Sequence, residues 1–129
     1  MGAYTAWSCA VELSVQPVSA SMARGFVRHR LAEQGLTHLS DDVTLVVSEL
    51  ATNAMVHAQT PFKVSLQAFE QTLLLEVEDG SRTGPVHVAA RSLDLTGRGL
   101  TIVNLLSRDW GVDARQNGGK SVWAEFDLK

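Results

Sequence analysis

Val46-Val47-Ser48-Glu49-Leu50-Ala51-Thr52-Asn53-Ala54-Met55-Val56-His57-Ala58 is the stretch on which the fold reading turns. Its apolar residues predict a helix packed largely into a core. Glu49 and Asn53 lie about one helical turn apart, so their side chains leave the same face, one above the other. A carboxylate and a primary amide suit such a helix only where something satisfies them. A solvated edge of an amphipathic helix is the bland account of any one Glu/Asn pair. Here it must also accommodate two glycine-containing motifs that follow in a fixed order.

The first is Glu78-Asp79-Gly80-Ser81, where an apolar strand ends in a carboxylate and a glycine. An ionised aspartate only accepts hydrogen bonds, so at a strand end it can take the exocyclic amine of adenine and discriminate against guanine. A glycine beside it lets a flat base approach the backbone. The second is Gly97-Arg98-Gly99-Leu100, which opens an apolar helix. Free N–H groups and the positive dipole end make such a helix start a phosphate site, and Arg98 can add a charge-assisted contact. The amide oxygen of Asn53 is a hard ligand suited to Mg²⁺. Glu49 is placed to act as base on a hydroxyl or water. Base pocket, phosphate cradle, metal ligand and general base together are the parts of ATP chemistry. Each motif alone is common: Asp-Gly is usually a turn, and glycines abound at helix starts. No Walker loop or dinucleotide fingerprint is present. His57, four residues beyond Asn53, extends the stripe. It suits either a dipole-favoured helix end or the lining of a nucleotide pocket better than a zinc site, for which asparagine is a poor ligand.

Around these motifs the chain of 129 residues reads as a single domain over 1–129. Alternation predicts a strand over 6–16, with Cys9 as a small apolar strand residue. A helix follows over 19–34, its stripe formed by Met22, Phe26, Val27 and Leu31, with Gly35 as the stop. Ser40-Asp41-Asp42 supplies a capping hydroxyl and first-turn carboxylates for the helix that ends near Ala58. Strands over 62–69 and 73–78 read as a hairpin around Glu70-Gln71-Thr72. A long loop over 80–97 is expected to be functional. A helix from about Arg98 to Ser107 and strands over 109–116 and 120–128 complete the chain, the last turn falling at Asn117-Gly118-Gly119. Trp7, Trp110 and Trp123 all fall in strands and read as core or sheet-face residues. The element order predicts an α/β fold with a mixed, mostly antiparallel sheet and helices on one face.

A net charge of −3 without a basic block speaks against direct nucleic-acid binding. The single cysteine excludes an intrachain disulfide and fits a reducing compartment. No stretch approaches the ~20 apolar residues of a membrane span, and Met1–Ala6 carries no charged leader, so a cytoplasmic protein without membrane attachment is expected.

The ordered motifs resemble the GHKL superfamily of ATP-binding domains, and within it the bacterial anti-sigma factor serine/threonine kinases. Glu49-Leu50-Ala51-Thr52-Asn53-Ala54 with His57-Ala58 looks like the N box, and Asp79-Gly80 like the adenine-binding box. Gly97-Arg98-Gly99-Leu100 with Val103 and Trp110-Gly111 looks like the glycine box after the ATP lid. Gly119-Lys120-Ser121-Val122-Trp123 looks like the last box, and Ala23-Arg24 with Phe26-Val27-Arg28 like the first helix. The resemblance covers nearly the whole chain and implies a Bergerat two-layer α/β sandwich. It implies ATP and Mg²⁺ as cofactors, with Glu49 as general base, Asn53 on the metal, and Asp79 and Gly80 at adenine. His57 would line the nucleotide site, and Gly97, Arg98, Gly99 and Leu100 would hold the phosphates. Ser121 stands where many members use a threonine to hold adenine through water. One departure is that Gly80 follows Asp79 directly and precedes Ser81, where many members have Asp-x-Gly. The implied function is an ATP-dependent protein kinase and anti-sigma factor, with a sigma factor and a STAS-type antagonist as partners. The alternative is a GHKL-shaped partner-binding module with weak or lost ATP chemistry. The alternating first strand can pair across a homodimer.

Overall fold

The computed structural model describes residues 5–80, 98–116 and 118–129. Strand β1 (Trp7–Leu13) leads into helix α1 (Ser19–Glu33), a short 3₁₀ turn (Thr37–Leu39) and helix α2 (Ser40–Asn53). A π-helical segment (Ala54–Ala58) continues α2 before strands β2 (Phe62–Ala68) and β3 (Thr72–Asp79). Helix α3 (Arg98–Leu106) precedes strands β4 (Asp109–Ala114) and β5 (Lys120–Asp127). The five strands form one sheet in the order β1-β2-β3-β5-β4, and each neighbouring pair is antiparallel.

Alternation sorts the strand residues between two faces. Val64, Leu66, Leu73, Leu75, Val77, Val122, Ala124 and Phe126 are buried against the helices. The opposite face carries Lys63, Glu76, Glu78, Ser121 and Trp123, as the register requires. One polar face and one covered face is the ordinary condition of an antiparallel sheet. Helix α2 is the central helix. Val43, Val46, Val47, Leu50 and Ala51 are buried along it, and it packs on α1, α3, β3 and β5. Each of the three valines and Leu50 contributes about 1.5–3 kcal/mol by leaving water.

Three local expectations are corrected. The buried stripe of α1 is Ser19, Ala23, Val27 and Leu31, whereas Met22 is 50% exposed. A strict four-residue spacing puts the small Ala23, not Met22, over Val27, which lets α1 lie close to α2. Ser40 makes no side-chain cap, because the 3₁₀ turn feeds straight into α2 and gives Ser40 helical dihedrals rather than the extended ones of a capping residue. Helix α2 also does not run as one α-helix to Ala58. It becomes π-wound from Ala54 and closes at Gln59, whose backbone is left-handed (φ 57°) and whose N–H donates to the Ala54 carbonyl at 3.1 Å. The expected loop over 80–97 lies outside the described residues apart from Gly80.

Candidate functional site

Glu49 and Asn53 sit on the last turn of α2, both half-buried. The Asn53 amide nitrogen donates to the Glu49 carbonyl at 2.9 Å. That bond fixes the amide and leaves its oxygen as the atom able to meet a hard cation. From α1, the Arg24 guanidinium donates to Ser48 Oγ at 3.1 Å, tying the residue before Glu49 to the neighbouring helix.

His57 is exposed on the π-wound segment. Four residues no longer make one turn there, so His57 does not continue the Glu49–Asn53 stripe as an α-helix would require. Single π turns inside helices concentrate at functional sites, and this one directly follows Asn53. It packs on β3, the strand that ends in Asp79.

Asp79 closes β3 on the helix-facing side, in line with Leu73, Leu75 and Val77. Its side chain is only 2% exposed, and its Oδ2 accepts a hydrogen bond from Lys120 Nζ at 2.6 Å. The backbone at this point is held from two sides. The Gly80 N–H donates to Thr60 Oγ1 at 2.9 Å, which ties the strand end to the segment leaving the π turn. Opposite, Gly119 lies so close that a Cβ there would meet the Asp79 carbonyl oxygen at 2.2 Å.

Glu78 belongs to a different surface. It pairs with Arg115 at 3.0 Å and Lys63 at 3.6 Å on the open face of the sheet. Of the two adjacent carboxylates, Asp79 is therefore the one presented between sheet and helices.

Ser121 is also on the open face. The register places it opposite Glu78, and its hydroxyl donates to Glu76 Oε2 at 2.6 Å. Ser121 and Asp79 thus lie on opposite faces of the sheet. The residue beside Asp79 is Lys120, which the sequence reading quoted within a motif but gave no role. The alternation Val122, Ala124, Phe126 carried the signal, because the same parity puts Lys120 on the inner face.

Helix α3 begins at Arg98, as expected, and packs on α2. Arg98, Gly99 and Leu100 form its first turn, while Gly97 lies outside the described residues. The indole N–H of Trp110 donates to Asn104 Oδ1 at 3.1 Å, which pins the helix to β4. The elements that carry these groups meet on α2, which bears Glu49 and Asn53: β3, ending in the buried Asp79, and α3, opening at Arg98, both pack on it. This donor set suits an adenine nucleotide with a hard divalent cation.

A family model described as a histidine kinase-like ATPase domain matches residues 13–126. The chain belongs to that family. This histidine kinase-like ATPase domain also superposes on the crystal structure of the RsbU and RsbW domains of Rv1364c from Mycobacterium tuberculosis. The TM-score is 0.71 at 19% identity, over 93% of this chain and 32% of that longer one. The expected GHKL kinship and the two-layer fold both hold. No curated protein matches the chain. Among the described residues of this histidine kinase-like ATPase domain, no helix is long and apolar enough to cross a membrane.

Proposed function

We propose that the chain is a cytoplasmic, ATP- and Mg²⁺-dependent protein serine/threonine kinase that also sequesters a sigma factor, its phosphoacceptor being a STAS-type antagonist. The observation that carries this reading is the placement of a buried carboxylate, Asp79, at the end of β3, the strand against which α2 and the π-wound segment after Asn53 pack.

In this reading Asp79 accepts the exocyclic N–H of adenine, where guanine would present a carbonyl. Gly80 gives the base room along the backbone. The phosphates lie at the N-terminal turn of α3, over Gly97, Arg98, Gly99 and Leu100. Asn53 would hold Mg²⁺, which when bound neutralises phosphate charge. Glu49 takes the proton from a hydroxyl of the partner protein. That oxygen attacks the γ-phosphorus, its bond to the β-bridging oxygen breaks, and ADP leaves. His57 lines the outer part of the site. Ser121, bound to Glu76 on the far side of the sheet, has no part in this scheme.

A phosphoryl group on the antagonist adds roughly −1.5 to −2 charge at its interface with the kinase. The antagonist then dissociates, and the chain is free to hold its sigma factor. The likeness to the RsbU/RsbW structure motivates the choice of partners. A sequestering module with weak ATP chemistry is the second reading, and the observation that favours it is the Lys120 ammonium on Asp79.

The test is transfer from γ-labelled ATP to partner proteins captured from the native cell extract, followed by acid treatment. An acid-stable phosphoester on a partner, lost in Glu49→Gln with nucleotide affinity retained, is expected. Acid-labile label would point to phosphohistidine and overturn the serine/threonine assignment. Absence of label with tight sigma binding intact would favour the module.

A further inference from the structure

We infer that Lys120 is the affinity-setting residue of the nucleotide site: its ammonium occupies the Asp79 oxygen that an adenine amine would use, so nucleotide must displace an internal cation to bind. The inference rests on the assignment of Asp79 as the base-recognising carboxylate.

Three features set the two partners apart. Asp79 is fixed. Its side chain is 2% exposed, its carbonyl packs on Gly119, and the following N–H is held by Thr60. Lys120 is able to move. It is the first residue of β5, follows the turn through Gly118 (φ 96°), and its side chain is 17% exposed at the rim of the sheet. A four-carbon stem with a strongly hydrated head can swing from that rim into water. The contact is also direct. At 2.6 Å the ammonium of Lys120 is bonded to Asp79 Oδ2, and a charge-assisted bond in a site this dry is strong.

An incoming adenine offers a neutral N–H in place of a charged one. It gains Oδ2, the oxygen that Lys120 holds, only after that stronger bond is broken. Lys120 therefore lowers affinity without touching the chemistry at Glu49, and the site fills only at high nucleotide concentration. Lys120 belongs to the site as a competitor, in contrast to a positioning role in which it would orient Asp79 for the base.

The experiment is calorimetric titration of ATP into the full chain, with thermal melting of apo and ATP-loaded protein. The variants are Lys120→Met, which keeps the stem and removes the charge, Lys120→Arg, which keeps the charge, and Asp79→Asn. Lys120→Met is expected to bind ATP about tenfold more tightly than the unsubstituted chain, the equivalent of one charged hydrogen bond no longer broken. Its apo form should melt lower and its ATP-induced rise in Tm should be larger. Lys120→Arg should bind like the unsubstituted chain. Equal or weaker binding by Lys120→Met would overturn the inference and make Lys120 a positioning residue. If the unsubstituted chain binds ATP and Asp79→Asn binds it equally well, the assignment of Asp79 itself fails, and the inference with it. Detectable binding by Lys120→Met alone supports the inference in its strongest form.

Discussion

Gly119→Ala and Gly25→Ala are the same chemical change with opposite expected signs, and the contrast tests how the end of β3 is built. At Gly119 the added Cβ would lie 2.2 Å from the Asp79 carbonyl oxygen, 3.2 Å from its carbon and 3.3 Å from Gly80 Cα. All three are backbone atoms, so no side chain can turn aside, and β5 must separate from β3 at its first residues. Overpacking of this kind costs about 1–3 kcal/mol. At Gly25, inside α1 and exposed, nothing lies within 4 Å of the added Cβ. Alanine there gains about 0.5–1 kcal/mol from backbone entropy and helix propensity. For a chain of this size each kcal/mol moves Tm by roughly 3–5 °C. Urea denaturation and thermal melting should place Gly119→Ala below and Gly25→Ala above the unsubstituted chain. The first variant should also lose nucleotide affinity, because the backbone that the added Cβ displaces carries Asp79. A Gly119→Ala chain within 0.5 kcal/mol of the original, with unchanged ATP binding, would refute the claim that this contact shapes the site.

Among the described residues the buried hydroxyl of Thr44 finds no hydrogen-bond partner, so Thr44→Val, which keeps the shape, should raise stability by about 1 kcal/mol in urea titration. Burial pushes the Cys9 thiol up, with Glu33 adding to the shift and Arg30 opposing it. The folded state thus favours the neutral thiol. Iodoacetamide should modify Cys9 more slowly in folded than in urea-unfolded protein near pH 8.5, and the thiol's contribution to stability should fall as pH rises through the thiol range. A Cβ at Gly111 would meet the Trp123 ring at 2.7 Å, so Gly111→Ala should alter the near-UV circular dichroism of the indole and cost less than Gly119→Ala, since a ring can shift where backbone cannot.

Much of this architecture was legible in the sequence because its signals are local. Alternation found every strand to within a few residues, and the helix period found α1 and α2. The glycine-opened apolar run found the start of α3 at Arg98. Asp79 shares the parity of Leu73, Leu75 and Val77, a signal for the covered face that its position at a strand end alone does not carry. What escaped depends on neighbours. Ser40 has the composition of a cap, but the 3₁₀ turn before it decides its dihedrals. The π winding after Asn53 carries no compositional mark and takes His57 off the helical stripe. Ser121 was read for its hydroxyl, yet one residue of register separates the two faces of a strand, and that residue gives the inner position to Lys120. The contact of Gly119 with Asp79 joins residues 40 apart in the chain and shows only once β5 is paired with β3.

Recognition of adenine by Asp79 is the central claim, and calorimetric titration of ATP and GTP, each with Mg²⁺, into the unsubstituted chain and Asp79→Asn tests it most directly. ATP binding well above GTP binding, with the preference abolished in Asp79→Asn, is the predicted result. Equal affinity for the two nucleotides, or an Asp79→Asn chain that binds ATP unchanged, would contradict it.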